Sequence, residues 1–65
     1  MPIIDITIVE GRSYEKKEAL MREVTEAAVR TLDAPPETVR VMVREIPKSH
    51  FSVAGVPKAR PDSGG

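Results

Sequence analysis

Sixty-five residues allow one small domain, expected over 1–65, and ten Lys+Arg against ten Asp+Glu give a formal net charge of zero. There is no Cys and no Trp, and Tyr, Phe and His occur once each. That composition excludes a disulfide framework, a thiolate metal site and a thiol nucleophile. It also makes a zinc centre improbable, argues against non-specific nucleic-acid binding, and leaves too few aromatics to stack bases.

No apolar run is long enough for a membrane span or a signal peptide, so a cytoplasmic location is expected. Ordering so short a chain costs on the order of 100 kcal/mol, at about 1.5 kcal/mol per residue. Small proteins offset this with disulfides, a metal or oligomerisation. With the first two closed, an oligomer is expected.

Residues 2–9 predict a strand, because β-branched residues dominate and alternate. Ile4, Ile6 and Ile8 fall on one face; Ile3, Asp5, Thr7 and Val9 fall on the other. Glu10 to Ser13 break the alternation, and Ser13 is placed to cap a helix with Glu15 in its first turn.

From Tyr14 to Asp33 the period becomes helical. Leu20, Met21, Val24, Ala27, Ala28 and Leu32 share the expected buried face. Glu18 with Arg22, and Glu26 with Arg30, are expected as i,i+4 pairs on the wet side. Ala34-Pro35-Pro36 ends the helix, since proline carries no N–H to donate.

Residues 38–46 return to period two, with Val39, Val41 and Val43 on one face and Arg40, Met42, Arg44 and Ile46 on the other. Strand, helix and strand predict an α/β fold. Its core is a short βαβ unit with parallel strands and a right-handed crossover. His50 to Val56 suit a turn with a short strand or hairpin, Pro57 onward reads as surface, and 62–65 as a disordered tail. One helix covers one face of a two-stranded sheet, yet both faces carry apolar residues. The uncovered face calls for another copy of the chain.

Few residues offer chemistry. Loss of Met1, usual when a small residue follows, would leave Pro2 as a terminal secondary amine. An α-amine has an ordinary pKa of about 7.7–8.0, and burial or a nearby cation lowers it toward the range of a general base. Arg40 shares a strand face with Met42 and Ile46, which draws it toward an interface and an anion. Arg30, Arg44 and Arg60 read as surface charge. The serines lack a His–Asp constellation, and Gly11 and Gly55 form no phosphate loop. Composition and spacing select no reaction.

The segment Pro-Ile-Ile-Asp-Ile-Thr-Ile-Val-Glu-Gly-Arg-Ser (2–13) resembles the start of the 4-oxalocrotonate tautomerase family. Lys16-Lys17-Glu18, Arg22 to Ala27, Leu32 to Pro35, Val39-Arg40-Val41 and His50-Phe51 with Gly55 continue the likeness in register. The resemblance implies a cofactor-independent isomerase, needing no metal, that assembles as a homohexamer, a trimer of dimers, with some relatives heterohexameric. It implies Pro2 as general base, moving a proton between carbons of a dienol or unsaturated keto acid such as 2-hydroxymuconate. It implies Arg12 on the far carboxylate, Arg40 from a neighbouring subunit on the 1-carboxylate and 2-oxygen, and Phe51 in the pocket wall. It also implies Val9 and Thr38 as substrate-binding residues, Val9 in the pocket wall where the type enzyme has Leu, and Thr38 where it has Ser. Related dehalogenases use a Glu at the position of Val53 to activate water, which Val cannot do, so no more than a weak hydratase or dehalogenase side activity is expected. A non-catalytic module or one subunit of a mixed assembly is the alternative.

Overall fold

The computed structural model describes residues 1–60; the expected tail at 62–65 lies outside them. Strand β1 (Ile3–Val9) pairs in parallel with β2 (Arg40–Ile46), in the register Ile3 with Arg40 through Val9 with Ile46. The ladder continues past β1, where Glu10 N–H donates to Ile46 O at 2.9 Å. Helix α1 (Tyr14–Leu32) forms the crossover. Ser13 caps it as expected, its hydroxyl accepting from Lys16 N at 3.3 Å.

The alternation of β1 is realised directly: Ile4, Ile6 and Ile8 are half-buried, while Ile3, Asp5 and Thr7 are exposed. Val41 and Val43 of β2 are half-buried on the same pattern. Leu20, Met21, Val24 and Ala27 of α1 are half-buried as well, and Ala28 is the one fully buried residue among those described.

Four details differ from the sequence reading. Leu32 is 61% exposed, because α1 ends there and Asp33 turns into the left-handed region at φ 56. The helix ends one residue sooner than expected; Asp tolerates this conformation better than most residues. Neither Glu18 with Arg22 nor Glu26 with Arg30 forms an ion pair among the described residues. Lys17 instead reaches Glu45 of β2 at 2.9 Å, and Arg22 lies 3.9 Å from Glu23. Strand β2 starts at Arg40, since Pro36–Thr38 wind into a 3-10 turn that Val39 closes.

The C-terminal hairpin is present: β3 (Ser52–Val53) pairs antiparallel with β4 (Val56–Pro57). Pro57 therefore belongs to a strand; on a two-stranded edge its missing N–H breaks no ladder. Ala54 and Gly55 make the turn at φ 53 and 83, both positive as a type I′ hairpin demands.

The chain is flat and spread, not compact. Its radius of gyration is 15.5 Å, against about 11 Å for a compact domain of this length. Its accessible surface is 5156 Å², against about 4,100 Å² expected for its mass. Ile3 and Met42 stand exposed on the sheet face that α1 leaves open. Among the described residues no helix is long and apolar enough to cross a membrane.

Candidate active site

The residues singled out by sequence fall into two groups, one at each end of the parallel pair. At the head, Pro2 is half-buried and its carbonyl accepts from Arg40 N–H at 2.9 Å. The sheet register thus joins Pro2 and Arg40 within one chain. The Arg40 side chain is exposed, and Nη1 donates to Glu37 O at 2.7 Å. That bond draws on one guanidinium nitrogen and leaves donors for an anion.

Thr38 sits two residues before Arg40. Its hydroxyl donates to Pro35 O at 2.7 Å, and its N–H donates to the same oxygen at 3.0 Å. Both bonds close the 3-10 turn, so the hydroxyl supports the approach to β2. Met1 is 77% exposed. The anchor of Pro2 is its carbonyl, which does not depend on Met1.

At the other end, β1 gives way to Glu10 and Gly11. Gly11 has φ 129, with nothing within 4 Å of where a Cβ would stand. Conformation, not crowding, is what calls for glycine there. The turn delivers Arg12, whose Nη1 lies 3.4 Å from Val9 O, and Ser13 then starts α1. Between β1 and the first turns of α1 lies an open cleft of about 500 Å³, lined by Ile8, Val9, Arg12, Lys16, Lys17 and Leu20. Apolar walls and three cations suit a small organic acid. Lys17 is neutralised by Glu45 at 2.9 Å.

Sequence reasoning had placed Val9 and Arg12 at a site and missed Lys16. The signal was present: Lys16 stands four residues from Arg12, one helical turn on, at the start of α1. Phe51 follows the C-terminal end of β2, after Pro47 and a 3-10 turn over Lys48–His50. It is 37% exposed, and its carbonyl accepts from Lys58 N at 2.8 Å.

The two groups do not meet in one chain. At about 3.3 Å per residue, β1 holds Pro2 and Arg12 more than about 20 Å apart. A small acid cannot touch both from within a single copy.

The family model for the tautomerase enzymes matches residues 2–60. The chain belongs to the tautomerase family. It is 55% identical over 60 residues to a 2-hydroxymuconate tautomerase of Pseudomonas putida, covering 92% of this chain and 95% of that one. It is 54% identical over 59 residues to a probable tautomerase of Ralstonia nicotianae, covering 91% and 84%. Among solved structures it superposes at a TM-score of 0.86 on a heterohexamer 4-oxalocrotonate tautomerase from Chloroflexus aurantiacus. That match has 38% identity and covers 89% of this chain and 94% of the other. The βαβ unit with its terminal hairpin is the tautomerase fold, and the enzyme is a tautomerase-like isomerase.

Proposed function

We propose that this tautomerase ketonises 2-hydroxymuconate or a closely similar dienol acid, moving the enol hydroxyl proton to a carbon, with Pro2 as general base once Met1 is removed. The observation that carries the reading is the bond from Arg40 N–H to the Pro2 carbonyl at 2.9 Å. It fixes the residue whose nitrogen must act while leaving that nitrogen out of the ladder. It also sets the backbone of a cation beside it.

The mechanism follows from charge. A neutral secondary amine accepts the proton from the dienol and returns it to a distant carbon, so atoms balance with no second reactant. Cations near the amine disfavour its protonated form and lower its pKa. The same cations stabilise negative charge as it develops on the substrate oxygens. Arg40 of a neighbouring subunit takes the 1-carboxylate and 2-oxygen, and Arg12 takes the far carboxylate through its planar fork of donors. Val9 and Phe51 supply apolar wall.

Pro2 and Arg12 serve one substrate when they come from different copies of the chain. The apolar face carrying Ile3 and Met42 supports self-association, and a homohexamer built as a trimer of dimers is the assembly proposed. The high identity to a 2-hydroxymuconate tautomerase supports the substrate class. The test is ketonisation of 2-hydroxymuconate, followed by ultraviolet absorbance, with enzyme whose intact mass shows Met1 removed. Turnover is expected, with a loss of about 100-fold or more in Pro2→Ala, the contribution typical of a positioned base. Undiminished turnover in Pro2→Ala rejects the mechanism.

A further inference from the structure

The cleft beside β1 holds more positive charge than Arg12 brings. Among the described residues, carboxylates are assigned by proximity to Lys17 (Glu45, 2.9 Å), Arg22 (Glu23, 3.9 Å) and Arg44 (Asp5, 3.2 Å). Neither Arg12 nor Lys16 has a carboxylate within ion-pair distance, yet both line the cleft. Among the described residues, the one side-chain hydrogen bond of Arg12 is to the Val9 carbonyl, at a long 3.4 Å.

The walls are the aliphatic side chains of Ile8, Val9 and Leu20. A carbon chain can lie along such a wall with an anion between the two cations. The side chains divide the work: the guanidinium binds both oxygens in its plane, and the ammonium adds a mobile point charge from a flexible stem.

We propose that Lys16 joins Arg12 in holding the far carboxylate of a six-carbon dicarboxylate and sets the preference for diacids over monoacids. The inference rests on the tautomerase reading for the identity of the reaction, and adds a specificity residue to it. Lys16 touches no reacting atom. It acts on the end of the substrate remote from the proton transfer. A monoacid leaves Arg12 and Lys16 facing each other with no anion between them, so it gains nothing from Lys16.

The experiment has two arms. In the first, kcat/KM is measured for 2-hydroxymuconate and for a monoacid dienol, 2-hydroxypenta-2,4-dienoate, with wild type, Lys16→Ala, Lys16→Gln and Lys16→Arg. Both neutral variants are expected to lose about fivefold on the diacid, the size of one solvent-screened charge pair, and nothing on the monoacid. Lys16→Arg is expected to restore the diacid rate. In the second, adipate and hexanoate are titrated against the same proteins by amide chemical shift. Adipate affinity is expected to fall about fivefold in the neutral variants, with hexanoate unchanged.

Equal losses on diacid and monoacid, or no loss on either, overturn the inference. The arms also separate it from the reading it rests on. Dienol turnover that depends on Pro2, with adipate binding indifferent to Lys16, removes the inference and keeps the tautomerase mechanism. Lys16-dependent adipate binding in an enzyme that turns over neither dienol does the reverse.

Discussion

Arg40 donates its backbone N–H to the carbonyl of Pro2 at 2.9 Å, while Arg12 sits beyond the far end of the strand that Pro2 begins. The backbone of Arg40 is therefore tied to that of Pro2 while its guanidinium turns to the Glu37 carbonyl, and Arg12 is held away by the full length of β1. This separation makes the copy number of the chain part of its chemistry.

The base should show in the pH profile. If the neutral Pro2 amine accepts the proton, kcat/KM rises with pH through the amine's pKa and then levels. In the proposed mechanism cations of the assembled site disfavour the protonated amine, so a midpoint below the ordinary α-amino range of about 7.7–8.0 is expected. Arg40→Ala should move the midpoint up as well as lower the plateau. A pH–rate series on 2-hydroxymuconate checks both. An unchanged midpoint in Arg40→Ala would leave that residue a role in binding alone.

The two arginines should differ from each other in kinetic signature. In the proposed mechanism Arg40 stabilises the developing charge, so Arg40→Ala is expected to lower kcat, by about 100-fold if it removes an oxyanion donor. In the same proposal Arg12 holds the remote carboxylate, and Arg12→Ala is expected to raise KM more than it lowers kcat. Steady-state kinetics on the diacid separate the two patterns.

The open sheet face should govern assembly. Ile3 is 62% exposed and Met42 46% exposed in the single chain. Burying either at about 25 cal/mol per Å² contributes on the order of 1–2 kcal/mol per copy. Ile3→Glu and Met42→Glu place a charge on that face without touching α1. Both are expected to shift sedimentation toward smaller species and to lose activity together with the assembly.

Much of this architecture was legible in the sequence because its cues are local. The alternation of Ile4, Ile6 and Ile8, the Ser13 cap and the stop at Ala34-Pro35-Pro36 each act within a few residues. What was not legible depends on where elements end or meet. Leu32 kept the helical period but lies at the frayed end of α1, where nothing packs over it. Lys17 was free to pair along its helix; it found Glu45 across the crossover, 28 residues away in sequence. Of the proposed site, the candidate residues came from the family likeness and their grouping in the fold did not. Only the parallel register puts Pro2 with Arg40 and sends Arg12 and Lys16 to the opposite end.

The hairpin offers a stability test independent of catalysis. Ala54 holds φ 53 in a turn where Asn-Gly is favoured. A left-handed Ala costs about 1 kcal/mol that Asn largely avoids. Ala54→Asn is expected to stabilise the protein by about 0.5–1 kcal/mol per chain in urea denaturation. Ala54→Val, β-branched in the same conformation, is expected to destabilise it.

The shared site is tested most directly by mixing two impaired variants at substrate concentrations well below KM. Pro2→Ala and Arg12→Ala proteins are unfolded together in equal amounts, refolded, and assayed on 2-hydroxymuconate. If Pro2 of one copy works with Arg12 of another, some mixed interfaces pair an intact Pro2 with an intact Arg12. Random pairing across a two-fold interface then restores about a quarter of the wild-type activity. Activity no higher than the average of the two variants refolded separately would contradict the account.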